Sequence, residues 1–440
     1  MREPQRAGFR LNGMRNGPRI TTGLLVAALA AAGCGPALAS RPQPPPVLSR
    51  GVAAREPAAD PRPYGAADTA FGLAVLRARC QADPRGNLVL SPASLATGLG
   101  MAYLGARGST ARAMAGVLRL PSAGGRALAA GLQARSAGLR GLDSPGVTVA
   151  GRDQVWADPS LRTRPGYLNA VATGYGAGVR RVPLLRSPDL AAQEIDRAIA
   201  AATRGQIPRL LTPGSLQGIG WVLTDALYLH AAWAAPFQAS QTRPGPFAAA
   251  DGRRVSVKFL HGGDFRTARA GGWTAVSLPY RGGKLAMVAL LPGAGASAGR
   301  CPLPGPAALG TITARLAAAA PAAGRGRAGV ALPKVNLSSR ASLKGLLSGL
   351  GMGVAFSPAA DFSALSPQAC CIALVKQAAT LRVGEKGTVG SAATAVGLAP
   401  TAMQVQPPQI VFDRPYLLLV TDTATGEPLF LARVADPAAP

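Results

Sequence analysis

The chain has 440 residues, 48% hydrophobic and 15% charged, with a formal charge of +27. That is enough apolar material for one large domain or two ordinary ones, and it excludes a disordered or fibrous chain. The charge does not make a nucleic-acid binder: Arg outnumbers Lys 41 to 6, aromatics are only 5%, and no dense basic block carries interleaved aromatics. It reads as a background bias, and the expectation is weak polyanion adhesion with no specific nucleic-acid partner.

At the N-terminus, Arg2, Arg6, Arg10, Arg15 and Arg19 precede the apolar run ITTGLLVAALAAAGCGPALAS. A basic region, a short apolar stretch and small residues make an export signal over residues 1–39. The run is short for a membrane span. Two processing routes stay open: cleavage before Ser40, giving a secreted protein, or lipoprotein-type processing with an anchor at Cys34. Residues 40–64 are rich in proline and read as an unstructured tether. Beyond them, residues 65–437 show no internal break and no repeat, which favours one domain.

The first elements are helical. In AADTAFGLAVLRARC (66–80), Phe71 and Val75 share one face. Ser91-Pro92 opens SPASLATGLGMAYLGA with a cap and a first-turn proline, and the helix stays apolar all round, as a buried helix does. STARAMAGVL follows, with Met114, Val117 and Leu118 at helical spacing. Ser187-Pro188 starts another helix, Ile195 and Ile199 form its inner face, and Gly205 ends it. Later residues favour strands. GWVLTDALYLHAAW (220–233) reads as one long strand. Two hairpins follow, one turning at Gly282-Gly283 and one, YLLLVTDTATGEPLFLARV, near the C-terminus. Helices early and strands late, without βαβ alternation, predict an α+β fold.

Signs of catalysis are weak. The sequence holds only His230 and His261, and no nucleophile elbow, zinc-protease helix, P-loop or C-x-x-C pair occurs. His230 reads as a core residue in a strand and His261 as a loop residue without an obvious partner. Of the cysteines after the signal, Cys80, Cys301, Cys370 and Cys371 match no metal or disulfide framework. Buried thiols and a Cys80–Cys301 bridge both stay open. No cofactor, metal or enzymatic activity is expected.

One stretch fits none of these roles. GEKGTVGSAATAVGLAPTAM (384–403) is small, nearly uncharged after Lys386, too apolar for a solvated loop and too light for a core strand. Glu385, Lys386, Gly387, Thr388, Val389, the small residues Gly390, Ser391, Ala392 and Ala393, and then Thr394 resemble the reactive-centre-loop hinge of serpins, the serine-protease-inhibitor family. The likeness extends to NLVLSPASLATGLGMAYLGARGSTARAMAGVL (87–118), TDALYLHAAWAAPFQASQTRPGPF (224–247), ALPKVNL, VFDRPYLLLV and GEPLFLARVADP, and so to essentially all of residues 65–437. The chain thus resembles a secreted bacterial member of that family.

The resemblance implies three β-sheets, about eight to nine helices and an exposed loop. It also implies suicide inhibition: a serine endopeptidase, or alternatively a cysteine one, cleaves the loop and is trapped as an acyl complex while the loop inserts as a strand. Family spacing sets the reactive bond at Thr401–Ala402, with Ala402–Met403 and Met403–Gln404 as alternatives. None has Arg or Lys at the cut, so an elastase- or subtilisin-like target is expected, and the inhibitor is expected to be a monomer. Ser91 and Ser94 match the family's shutter region and Trp233 its position under the upper sheet. Asp225 and Gln377 depart from it, standing where the family usually has Asn and His. If Asp225 is buried it needs a donor, and Gln377 is the candidate. The alternative reading is a non-inhibitory member acting as a binding or chaperone-like module.

Residues 388–398 pass a physical test for insertion. As a strand they would carry Thr388, Gly390, Ala392, Thr394, Val396 and Leu398 on one face and Val389, Ser391, Ala393, Ala395 and Gly397 on the other. Neither face carries a charge, and the only proline, Pro400, lies beyond.

Overall fold

A computed structural model describes residues 47–121, 124–151, 154–295, 301–318, 326–388 and 409–439. In chain order the first half comprises β1 (Val47–Ser49), α1 (Arg62–Ala82), β2 (Leu88–Leu90), α2 (Pro92–Gly105), α3 (Gly108–Leu118), α4 (Gly125–Arg140), β3 (Val147–Gly151), β4 (Gln154–Ala157), α5 (Pro165–Tyr175), β5 (Val179–Arg181) and α6 (Pro188–Ala202). The second half comprises β6 (Trp221–Thr224), β7 (Leu227–Ala232), β8 (Arg243–Ala248), β9 (Arg254–Ala270), β10 (Trp273–Pro279), β11 (Leu285–Pro292), α7 (Pro306–Ala318), β12 (Arg327–Pro333), β13 (Val335–Ser342), α8 (Lys344–Leu347), β14 (Lys376–Gly384), β15 (Gly387–Thr388), β16 (Gln409–Val411), β17 (Tyr416–Asp422) and β18 (Pro428–Val434). Eight helices and three sheets among the described residues make the expected α+β fold.

The helices form for the reasons the sequence suggests. Ser91 caps α2, its hydroxyl accepting the Ser94 N–H at 3.3 Å, and Pro92 fills the first turn. α2 is buried on nearly every side and runs through the centre of the molecule. On α1, Phe71 and Val75 are buried, as are Ile195 and Ile199 on α6 and Met114 and Leu118 on α3. Ser187 makes no side-chain cap; Asp189 in the first turn of α6 offers the helix dipole its negative charge instead.

A nine-stranded sheet runs β16-β12-β9-β10-β11-β17-β18-β2, with β8 paired to β9. Both of its faces are covered, which is why β11 and β17 read as unbroken apolar runs. Leu417 and Leu419 turn toward the helical core of α1, α2 and α3, whereas Leu418 and Val420 pack against the five-stranded sheet. That sheet has the order β13-β14-β15-β7-β3, and a four-stranded sheet has the order β1-β5-β4-β6. The chain passes from the four-stranded to the five-stranded sheet between β6 and β7. The single long strand expected over 220–233 is therefore two, separated at Asp225 and Ala226.

Two further expectations change, and one that stayed open is decided. The tether over 40–64 does not hold from residue 47 onward. β1 pairs antiparallel with β5, and the following backbone N–H groups of Val52, Ala54 and Glu56 donate to Asn169, Thr173 and Gln133 at 2.8, 2.9 and 3.1 Å. His261 lies within β9, its Nδ1 3.2 Å from Gln409 Nε2, and not in a loop. Finally, Cys80 and Cys301 form a disulfide tying α1 to the segment before α7, while Cys370 is an exposed free thiol and Cys371 a half-buried one.

A buried charge cluster joins α1, α2, α4 and the β17–β18 turn. Arg135 donates to Asp68 at 2.7 Å, to Glu427 at 2.7 Å, and to Thr97 Oγ1 and the Ala93 carbonyl at 2.8 Å each. Burial raises the Asp68 carboxyl well above its ordinary value, with Arg135 opposing and Glu427 adding to the rise.

Candidate functional site: a slot between two parallel strands

β15 lies antiparallel to β14 on one side, with Val383 opposite Thr388, and antiparallel to β7 on the other, with Thr388 opposite Ala231. β14 and β7 therefore run parallel to each other. Below β15 they are bridged only at Asp225 and Gln377, among the described residues. The result is a slot between two rails, filled for two residues at the top and pinned at the bottom. A gap between parallel strands can accept one strand antiparallel to both, the sense in which the chain turns back from β14 into β15.

The upper end is held by side chains from four segments. Trp233 is 1% exposed and stacks on Tyr280 with ring centroids 4.5 Å apart. Its indole N–H donates to the Gly384 carbonyl at 2.9 Å, and its backbone N–H to the Lys386 carbonyl at 3.0 Å. Lys334 Nζ reaches both carboxylate oxygens of Glu385 at 2.8 and 2.9 Å, and Thr242 Oγ1 donates to one of them at 3.1 Å. Burial pushes the Glu385 carboxyl upward, but the bonds from Lys334 and Thr242 outweigh it and hold the group below its ordinary range. Thr388 is 1% exposed, and its hydroxyl shares a short hydrogen bond with the buried Tyr280 phenol. Burial raises the Tyr280 pKa, so the phenol stays protonated and can serve as the donor.

Gly387 is where glycine is required. Its φ is +151°, and a Cβ there would lie 2.1 Å from the Ala231 carbonyl oxygen and 2.8 Å from the Ala232 Cα. Those are backbone atoms of the neighbouring strand and cannot swing aside.

The lower end is a polar knot under α2. The Gln377 amide donates to the Ser91 carbonyl at 3.0 Å and to Asp225 Oδ2 at 3.4 Å, and its carbonyl accepts the Ser91 N–H at 3.4 Å. Asp225 and Gln377 are both 5% exposed. The expected donor–acceptor relation between the two departures from the family pattern is therefore present, and Ser91 and Ser94 sit beside it at the start of α2.

The structure thus brings together Glu385, Lys386, Gly387 and Thr388 with Trp233 at one end, and Ser91, Ser94, Asp225 and Gln377 at the other. The remaining expected hinge residues Gly390, Ser391, Ala392, Ala393 and Thr394 lie outside the described residues. So do Thr401, Ala402, Met403 and Gln404 at the expected reactive bond, and Cys34. Two residues of the upper end went unnoticed in the sequence, Tyr280 and Lys334, and Thr242, within the family-like run 224–247, had no role assigned. Tyr280 had a usable signal, since a tyrosine in a run as apolar as VSLPY needs a hydrogen-bond partner once buried.

The sheet thus has a slot between β14 and β7 whose upper end the two residues of β15 fill. The family model for serpins, described as serine protease inhibitors, matches residues 66–437, and the chain belongs to that family. An uncharacterized serpin-like protein of Thermococcus kodakarensis is 31% identical over 354 residues, 80% of this chain and 81% of that one. Leukocyte elastase inhibitor of Bos taurus is 28% identical over 394 residues, 84% of this chain and 99% of that one. Among solved structures, the thermophilic serpin tengpin in its native state superposes with a TM-score of 0.74 at 21% identity, covering 88% of this chain and 97% of that one.

Proposed function

We propose that this chain is an inhibitory serpin that traps an elastase- or subtilisin-like serine endopeptidase by inserting residues 389–398 into the slot. The observation carrying this reading is the register of β15. Continued downward, it brings Thr394 opposite Gln377 on β14 and opposite Asp225 beside β7, the two residues that now bridge the rails. The same register takes Leu398 to the level of Trp221, where β6 begins. The small, uncharged ribbon therefore matches the slot in bulk, and the continued register would pair it along β14 down to Lys376, the first residue of that strand. Thr388 points at buried Tyr280, so Gly390, Ala392, Thr394, Val396 and Leu398 would share its inward face. Small residues lead, which limits overpacking as the rails part.

About ten new backbone hydrogen bonds at roughly 1 kcal/mol each, with burial of Val396 and Leu398, would release on the order of 10 kcal/mol. That is comparable to the whole stability of a domain. Cleavage of the Thr401–Ala402 bond, or of either neighbour at Met403 or Gln404, frees the strand. The attached protease is then displaced before its acyl-enzyme hydrolyses. The inhibitor supplies no catalytic group and acts as a monomer, exported through residues 1–39, with release and a lipid anchor at Cys34 as the two routes. Polyanion binding is a weak accompaniment of the net charge.

Mixing the protein with pancreatic elastase tests the reading. The expected product is an SDS-resistant complex together with a cleavage site inside 401–404. Cleavage without a complex, and an unchanged melting temperature after the cut, would refute inhibition and favour the non-inhibitory module.

A further inference from the structure

Cys370 and Cys371 play no part in the slot, yet they sit at its foot. The segment containing them leads directly into β14, with Gln377 a short way along that strand. It is pinned on both sides: the Ala369 N–H donates to the Ser366 carbonyl at 3.1 Å, and the Ile372 N–H to the Ala355 carbonyl at 2.9 Å. Between the pins, no backbone hydrogen bond involves Cys370 or Cys371 among the described residues, so the peptide joining them can turn without breaking a ladder. Cys370 is exposed and Cys371 half-buried; burial raises the Cys371 thiol above its ordinary value, and the adjacent Cys370 thiol adds to the rise. Lys344 acts on the same thiol in the opposite sense, favouring the thiolate.

We propose that Cys370 and Cys371 form a reversible redox site, oxidised to a vicinal disulfide by exchange with low-molecular-weight disulfides. The Cys80–Cys301 bridge fits a milieu in which such disulfides persist. The exposed Cys370 thiolate attacks one sulfur of the small disulfide, forming a mixed disulfide and releasing one thiolate. The Cys371 thiolate then attacks Cys370 Sγ, closing the ring and releasing the second small thiolate. The two cysteine protons pass to solvent and two electrons pass to the small disulfide, so the step balances.

Geometry dictates that this disulfide is labile. Consecutive Cα atoms lie about 3.8 Å apart, short of the roughly 4.4–6.8 Å span that an unstrained disulfide prefers. Cys80 and Cys301 are 6.1 Å apart, within it. Strained and exposed disulfides have the more oxidising potentials. The 370–371 pair therefore returns to dithiol under conditions that leave Cys80–Cys301 closed, and each cycle changes the peptide that feeds β14.

The full-length protein equilibrated in glutathione buffers of graded ratio, then quenched by acid and peptide-mapped, tests this. In oxidised glutathione, the peptide containing Cys370 and Cys371 should lose the mass of one hydrogen pair. In the Cys371→Ser variant, Cys370 should instead hold a stable glutathione adduct. On titration with reduced glutathione, the vicinal bridge should open well before Cys80–Cys301. The proposal is overturned by a wild-type protein that only accumulates glutathione adducts, that links chains through Cys370, or that shows no change. It is equally overturned if both bridges open at the same buffer ratio.

Discussion

Replacing Gly387 by alanine tests the upper end of the slot most directly. The new methyl carbon would stand 2.1 Å from the Ala231 carbonyl oxygen and 2.9 Å from the Ala231 carbonyl carbon, at a φ of +151° that L residues rarely adopt. Holding the strand in place would store roughly 1–3 kcal/mol of backbone strain. Releasing it would forfeit the Tyr280–Thr388 bond and the pairing of Gly387 and Thr388 to both rails, at about 1 kcal/mol for each bond. Either route weakens β15 by about 3 kcal/mol, roughly a hundredfold in its docked population. Hydrogen exchange at Thr388 should accelerate accordingly. Because an inserting loop must pass through this docked geometry first, the variant should insert slowly after cleavage. Elastase would then deacylate and leave, so the fraction captured as SDS-resistant complex should fall and the fraction released as cut inhibitor should rise. Unchanged protection at Thr388 with an unchanged partition would show that Gly387 tolerates a side chain, and the geometric argument fails.

Other parts of the fold give predictions of their own. Arg135→Met removes the cation from a buried cluster and leaves Asp68 and Glu427 facing each other, so thermal unfolding should show a loss of about 3–5 kcal/mol; a loss below about 1 kcal/mol would mean the cluster is not the junction described. The Asp68 carboxyl is raised in the fold, so its contribution is complete below its ordinary value of 3.8 and is lost as pH rises through the raised value. Stability should therefore fall with rising pH across that window, and Asp68→Asn should flatten the slope; an opposite slope in the parent would contradict the burial. Glu385 is lowered, so its hinge contribution is present above the ordinary carboxylate range and fades as pH drops through its depressed value. Protection of the Lys386 and Gly387 amides against hydrogen exchange, corrected for the intrinsic pH dependence, should fall in acid, and Lys334→Met should abolish that dependence. Deleting residues 1–56 strips the edge strand from β5 and the bonds to Asn169, Thr173 and Gln133, with an expected cost of about 2–3 kcal/mol in thermal unfolding; no shift would make the segment a passive lead-in.

Local chemistry explains what the sequence made visible. Ser91-Pro92 announced α2 because a cap and a first-turn proline act within one turn of helix. Gly282 and Gly283 announced the β10–β11 hairpin because both adopt positive φ, 75° and 70°. The misreadings come from long-range effects. His261 read as a loop residue, but it and the following Gly262 and Gly263 lie in β9, where the register against β12 shifts between Ala328 and Val330 in a bulge. A glycine pair signals unusual backbone, and only the partner strand decides between turn and bulge. Asp225 is similar: WVLTDALYL is apolar on both sides of it, so nothing local marks a crossing between sheets. β1 was hidden because its partner, Val179–Arg181, lies far along the chain. At the site, the hinge was legible from its composition, whereas Lys334 and Thr242 became meaningful only once folding set both beside Glu385.

The two ends of the slot differ in how they resist opening. The top combines an aromatic stack, a charged pair and a buried hydroxyl bond around β15, all of which remain in place if the strand simply lengthens downward. The bottom must break: Gln377 and Asp225 cannot stay bridged once a strand lies between them. Their direct contact is long, 3.4 Å, while the firmer bond of Gln377 runs to the Ser91 carbonyl at 3.0 Å and stays on its own side of the slot. Separating the rails therefore removes the weaker of the two bonds and leaves the stronger. The residue that arrives at that level in the continued register is Thr394, whose hydroxyl can donate to Asp225 and accept from Gln377. A methyl group there would lose the hydrogen bonds the hydroxyl could make to Asp225 and Gln377, at about 1 kcal/mol each. On the proposed mechanism, the polar foot of the slot is a lock whose parts an inserting strand can replace, which reconciles a buried acid at Asp225 with a sheet that opens.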